Sequence, residues 1–168
     1  NHTATAMWQR LNTSIAQARE AGAPVAGVQL DYDCATSKLS RYRALLEELL
    51  KRHPETCLSI TTLPTWLSKA EFSELVARLS YFVLQAHSFE RPKSADERAP
   101  LCPFDRIDGY LERAHRSGVP FFLALPTYGY EIAFDAEGRF VGLGAETHNG
   151  DWPPDYQVRE VMADPVRM

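Results

Sequence analysis

Apolar residues recur along this chain at two spacings, and the two spacings take turns. Trp8, Leu11, Ile15 and Ala18 fall on one face of a helix that stops at Gly22, after which residues 25–33 read as a strand. Leu39, Tyr42, Leu46, Leu49 and Leu50 form the stripe of a second helix. His53-Pro54 closes it, because a residue before proline avoids the helical region. Residues 58–63 make a short apolar run of strand length. Ser68, with Glu71 three residues on, has the pattern of a capping box and opens a third helix whose inner face is Phe72, Leu75, Val76 and Leu79. Residues 81–87 are the third strand, and residues 88–103 a long charged, proline-containing loop. A fourth helix comes next, with Ile107, Tyr110, Leu111 and Ala114 inward and Gly118 as its stop. Residues 121–126 are the fourth strand. Residues 132–134 and 140–143, joined around Asp135-Ala136-Glu137-Gly138, read as a hairpin. Residues 146–168 have weak periodicity, with one helical turn expected around residues 158–162.

Helix and strand in alternation, with short connections, imply parallel strands joined by right-handed crossovers. A doubly wound open sheet and a (β/α) barrel both satisfy that pattern. No glycine-rich phosphate loop follows any strand, which argues against the nucleotide-binding version of the first. The expected fold is therefore α/β, a partial (β/α)8 TIM-type barrel with a small hairpin after its last strand. Four strands cannot close a barrel, and complete barrels need about 250 residues. The chain begins within a helix pattern and ends at Met168 with no closing element, so residues 1–168 are read as a single domain and a fragment of a larger barrel. A half-barrel that pairs with a missing half or with itself is the alternative.

Composition narrows the classes. The chain has 168 residues, 45% hydrophobic and 24% charged, which excludes a disordered segment. Eighteen Lys and Arg against 22 Asp and Glu leave a net charge of −4, so nothing in the composition recommends nucleic acid as a partner, which would call for a basic face. Apolar runs such as residues 121–126 fall far short of the roughly 20 residues that cross a bilayer, and the N-terminal residues lack the charged-then-apolar order of a signal peptide. Cys34, Cys57 and Cys102 have no metal-type spacing and are odd in number. Free thiols are expected, with a Cys34–Cys102 bridge through the long loop as the alternative. No cofactor is implied, and the compartment is left open.

The candidate chemistry lies at strand ends. Alternation puts Gly27, Gln29, Asp31 and Asp33 on one face of the first strand and Val28, Leu30 and Tyr32 on the other. Acids on a strand covered on both sides cost free energy unless paired or hydrogen-bonded. In a barrel, residues at the C-terminal ends of strands line the active site. Carboxylates two positions apart along a strand are about 6 to 7 Å apart, near enough in a low-dielectric pocket to hold one proton between them. Asp31 and Asp33 are thus candidates for acid catalysis, or else structural acids capping the next helix near Ser37 or ion-paired with a neighbouring strand. Gln85 and His87 reach the same end of the third strand. His87 reads as a general base, a donor to a substrate hydroxyl, or a core histidine. Trp66, Tyr128 and Tyr130 come after the second and fourth strands, where aromatic faces hold sugar rings or pack under loops.

Val25-Ala26-Gly27-Val28-Gln29-Leu30-Asp31-Tyr32-Asp33 resembles the fourth strand of the chitinase-like glycoside hydrolases of family 18, with motif D-G-x-D-x-D-x-E. The order of the later elements matches too. The run 42–50 is similar to that family's next helix, 58–64 to its fifth strand, 82–88 to its sixth, which carries M-x-Y-D, and Leu125-Pro126-Thr127-Tyr128-Gly129 to its seventh-strand L-P-x-Y-G. The register extends from the first helix to about residue 145 and leaves strands one to three and eight without counterparts. Closer still, Gln29-Leu30-Asp31-Tyr32-Asp33-Cys34, Leu58-Ser59-Ile60-Thr61-Thr62-Leu63-Pro64-Thr65-Trp66-Leu67, Gln85-Ala86-His87 and Leu125-Pro126-Thr127-Tyr128-Gly129-Tyr130 resemble the bacterial family known as domain of unknown function 3142, a barrel family related to glycosidases.

These resemblances imply a barrel that hydrolyses or binds a polysaccharide. Asp33 would be the proton donor and Asp31 its orienting partner; Gln29, Gln85 and His87 would contact hydroxyls; Trp66, Tyr128 and Tyr130 would be ring platforms. The departures bear on mechanism. Ala26 and Gln29 stand where the chitinase motif has Asp, Asp33 where it has the acid Glu, and His87-Ser88 where it has Tyr-Asp. A substrate-assisted mechanism through an acetamido group, which needs that Glu and its neighbouring Asp, is therefore not implied, whereas a pair of acids remains. The alternatives are a carbohydrate-binding or scaffolding barrel without catalysis, and a divalent-metal hydrolase using Asp31, Asp33 and His87. The family resemblance points to a bacterial envelope or secreted setting.

Overall fold

Four short strands lie side by side in the order in which the chain makes them. The computed structural model describes residues 2–87, 91–97, 101–102, 104–145 and 152–162. Its first sheet comprises β1 (Val28–Leu30), β2 (Leu58–Thr62), β3 (Phe82–Gln85) and β4 (Phe121–Ala124), interleaved with α1 (His2–Glu20), α2 (Leu39–Arg52), α3 (Ala70–Val76) and α4 (Phe104–His115). β1 and β2 pair in parallel with Val28 opposite Leu58 and Leu30 opposite Ile60; β2 and β3 do so with Thr61 opposite Val83 and Thr62 opposite Leu84. Residues paired in register share a face. One side of the sheet therefore carries Leu30, Leu58, Ile60, Thr62, Phe82 and Leu84, and the other carries Gln29, Ser59, Thr61 and Val83.

Contacts divide the chain into two compact units, residues 1–84 with 109–123 and residues 85–108 with 124–168. In the first, the apolar side of the sheet meets Leu39, Tyr42, Leu46 and Leu49 of α2, Phe72, Leu75 and Val76 of α3, and Ala114 of α4 in one buried core. Each large side chain buried there contributes roughly 1.5–3 kcal/mol before the cost of ordering it. α1 joins through Trp8, whose indole stacks on His53 at the end of α2 with ring centroids 3.4 Å apart. Gly27 allows the close approach that begins β1, since a Cβ there would sit 2.5 Å from the Cys57 carbonyl oxygen.

The second unit is built on an antiparallel sheet of β5 (Gly129–Phe134), β6 (Phe140–Ala145) and β7 (Gln157–Met162), in the order β6-β5-β7. Ile132 and Phe134 form its core with Ala95, Tyr130, Phe140 and Val161. The hairpin turns on Gly138, at φ +75°, while Asp135 Oδ1 accepts from the backbone N–H groups of Glu137 and Arg139 at 3.1 and 2.9 Å. These bonds, the Arg139 amide first, hold the Asp135 carboxyl below the usual carboxylate range. Arg159 of β7 reaches across to donate to the Ala95 and Glu97 carbonyls, both at 2.8 Å, and so ties part of the long loop to the sheet.

Three expectations need correction. The first strand is three residues long rather than nine, because the chain turns immediately past Leu30. Ser68 caps nothing: the residue preceding α3 is Lys69, which makes no side-chain cap bond. Residues 157–162 are a strand, not a helical turn, since their backbone completes β5's free edge with Glu131 opposite Glu160 and Tyr130 opposite Val161. All three cysteines are free, and the Cys102 thiol lies 3.4 Å from the Ala86 carbonyl, so the Cys34–Cys102 bridge is not formed. Residues 88–90, 98–100, 103, 146–151 and 163–168, Ser88 and the ends of the long loop among them, lie outside the described residues.

Candidate functional site

In the first unit the acids sit just past the end of β1. Asp31 stands in line with Thr61, and the Thr61 hydroxyl donates to its Oδ1 at 2.6 Å. That distance is in the range of a charge-assisted O–H···O⁻ bond. Thr61 is itself buried, beside buried Ser59, so the polar face of β2 supports Asp31 from below while the carboxylate end stays open to solvent. Gln29, one strand position back on the same face, is also exposed. At Asp33 the strand geometry is already lost: the Cys34 N–H donates to the Tyr32 carbonyl at 2.9 Å, a three-residue turn centred on Asp33. Asp33 is exposed at the tip of that turn, not seated on a pocket floor.

The turn buries Cys34, and burial, with the Asp33 charge second, pushes the Cys34 thiol up. Tyr32 projects its ring to solvent at 54% exposure and meets Tyr42 edge to face, with centroids 5.5 Å apart. Tyr42 in turn contacts Trp66, which is 0% exposed. Trp66 is therefore a core residue and offers no face to a sugar. It comes after a strand whose five residues are all buried, and the short helical turn Pro64–Trp66 rolls it inward.

In the second unit His87 and Tyr128 are brought together. The Tyr128 hydroxyl lies 2.9 Å from His87 Nδ1, and the rings meet edge to face with centroids 5.5 Å apart. Tyr128 keeps 41% of its surface exposed, and the burial of its remainder raises its phenol pKa. Ala86 N–H to the Ala124 carbonyl, at 3.0 Å, carries the main-chain ladder up to this pair. Gln85 is half-buried at the end of β3. Tyr130 lies within β5 and packs on the Ile132–Phe134 core, so it belongs to the hairpin sheet rather than to a loop; burial raises its pKa as well.

Thr61 and Ser59 are functional candidates that strand-end reasoning passes over. Their signal was present: two hydroxyls two positions apart on the face that carries Asp31, the strand's third hydroxyl, Thr62, facing the other way. Among the described residues no three His, Cys, Asp or Glu side chains come together as a metal ion would require. No helix among them is long and apolar enough to cross a membrane. A surface cavity of about 650 Å3 lined by Glu47, Leu50, Lys51, Pro54 and Arg78 opens on the helices and includes none of the candidate residues.

The parallel four-stranded sheet with alternating helices has counterparts among solved structures. The chain belongs to the family described as domain of unknown function (DUF3142), whose model matches residues 1–168. It is similar to the crystal structure of ydhD from Bacillus subtilis, provisionally assigned as a sporulation-specific glycosylase. The TM-score is 0.54 and the identity 17%, over 80% of this chain and 47% of that one. It is also similar to the spore cortex-lytic enzyme SleL of Bacillus cereus, with TM-score 0.54 and 15% identity, over 80% of this chain and 32% of that one. The chain thus spans about half the length of the first and a third of the second. No curated protein sequence matches it.

Proposed function

We propose that the chain is part of a (β/α)8-type barrel, carrying the strands equivalent to four through seven, that acts on a polysaccharide through the acids just past β1. The observation that carries this reading is the 2.6 Å bond from buried Thr61 to Asp31, which fixes one carboxylate at a strand end with a second, Asp33, two residues on. The fold shared with glycosylase structures supports it. In the proposed step Asp33 passes its proton to the glycosidic oxygen as the C–O bond breaks, a water oxygen bonds to the anomeric carbon and releases a proton that restores Asp33 to its acid form, and Asp31 orients the sugar through its hydroxyls. Bound sugar must itself exclude water from Asp33. Gln29, on the same face of β1, supplies a hydroxyl contact beside these acids; within the second unit Gln85, His87 and Tyr128 are the candidates for hydroxyl contacts, the Tyr128 hydroxyl holding His87 in a fixed orientation.

The exposure of Asp33 favours a second reading, in which the same residues bind a glycan without cleaving it. Asp33→Asn separates the two, assayed in the complete barrel against α- and β-linked hexose and hexosamine polymers. Hydrolysis predicts that turnover disappears while oligosaccharide affinity stays within about tenfold, because the amide keeps the shape of the acid. A wild type that binds glycan and releases no reducing ends would retire hydrolysis, and full activity in Asp33→Asn would retire the role given to that residue.

A further inference from the structure

One face of the β6-β5-β7 sheet holds a tryptophan that the proposed site does not use. Strand register places Gly129, Glu131 and Ala133 of β5, Gly142 and Gly144 of β6, and Val158, Glu160 and Met162 of β7 on this face, opposite the Ile132–Phe134 core. Trp152 lies against it. Its six-membered ring comes within 3.2 Å of where a Cβ on Gly142 would stand and 3.5 Å of one on Gly144, so the two glycines let the indole settle onto the β6 backbone. The ring is held in place: its Nε1–H donates to Glu131 Oε2 at 3.0 Å.

Two features separate this from ordinary packing. Trp152 stays half-exposed, whereas Trp8 and Trp66 are buried, and exposed Val158 and Met162 extend the apolar surface along the same face. Glu131 also stands directly opposite Glu160, a cross-strand pair of like charges that costs stability where nothing is gained from it.

We infer that this face is a saccharide platform, with Trp152 as its ring surface and the Glu131 and Glu160 carboxylates as acceptors for sugar hydroxyls. The C–H face of a pyranose packs on an indole, and carboxylates accept from its hydroxyls. The same two charges repel uronate chains, so the ligand is a neutral hexose or N-acetylhexosamine polymer. This inference rests on the polysaccharide reading and adds a second contact for the same class of ligand.

The test is intrinsic fluorescence of the full chain titrated with cellohexaose, chitohexaose and oligogalacturonate. Because Trp66 lies behind Tyr42 and Tyr32 beside the acids, Trp152→Phe serves as the blank, and the part of a ligand-dependent change in emission that it abolishes reports Trp152. A blue shift with at least one neutral oligosaccharide and none with oligogalacturonate is expected. Trp152→Ala should weaken binding by roughly tenfold or more and Trp152→Phe much less, as for truncation of an aromatic anchor. If Trp152→Ala does not fold, the difference in emission between wild type and Trp152→Phe decides alone. Unchanged emission with every neutral oligosaccharide, or unchanged affinity in a folded Trp152→Ala, overturns the inference. Glycan binding that leaves Trp152 emission unchanged removes the platform and keeps the acidic site. A Trp152 response that persists in Asp33→Asn after turnover is lost keeps the platform independent of catalysis.

Discussion

Tyr42 is buried with its ring between Tyr32 and Trp66, and its hydroxyl has no hydrogen-bond partner among the described residues. Burial first, and then the charges of Cys34, Asp31, Tyr32 and Asp33, drive its phenol far above the ordinary range. A raised folded-state value means that the stabilisation is complete below the unfolded phenol range, near pH ~10, and is lost as pH climbs above it. Tyr42→Phe removes an unsatisfied hydroxyl, so its stability at pH 7 should lie within about 1 kcal/mol of wild type. Melting temperatures taken from pH 9 to 11 should then fall less steeply in the variant, and parallel curves would show that another group governs alkaline unfolding. Gly27 makes the opposite case. Its Cβ position is blocked by Cys57 backbone, which cannot rotate away as a side chain can. Gly27→Ala should destabilise the first unit by about 1–3 kcal/mol in urea unfolding, and an unchanged midpoint would mean that β1 and the residues before β2 separate easily.

Elements were legible wherever one face differs from the other. α2 appears where Leu39, Tyr42, Leu46 and Leu49 predict it, because that stripe is the side that enters the core. β7 was missed for the converse reason. Val158, Glu160 and Met162 face one way and Arg159 and Val161 the other, so neither side is cleanly apolar, and the strand owes its existence to pairing with β5, which a local window cannot see. The acids were legible as chemistry but not in their placement. Period two holds for Asp31, which Thr61 reaches, and fails at Asp33, where a turn replaces the strand. Trp66 looked like a loop aromatic and is core, because its burial is set by Tyr42 on a helix more than twenty positions earlier. The long loop gains order from β7 through Arg159. Arg159→Ala should therefore speed amide hydrogen exchange across residues 91–97 well beyond any change in β6, and exchange raised equally in both would show that Arg159 supports the whole second unit instead.

At the scale of the whole chain, β1 and β4 end the first sheet, and each has a strand neighbour on one side only among the described residues. Unpaired ladder groups and Phe122, 64% exposed on β4, form a template for another strand. The isolated chain should show a sedimentation coefficient that rises with concentration, and Phe122→Lys should suppress that rise; a concentration-independent monomer would count against open edges. The division into units has a consequence for how the chain is made. Residues 85–108 belong to the second unit but are threaded between the two pieces of the first, so the first unit cannot be completed until Leu123 has been synthesised. At ordinary elongation rates the ribosome takes roughly one to five seconds over that intervening stretch. During that interval β3 has β2 beside it but no β4, and Phe82 lacks the ring of Phe121 that later stacks on it with centroids 5.3 Å apart. A nascent chain arrested just before residue 121 should accordingly engage hydrophobic-segment chaperones, and one released past Leu123 should not.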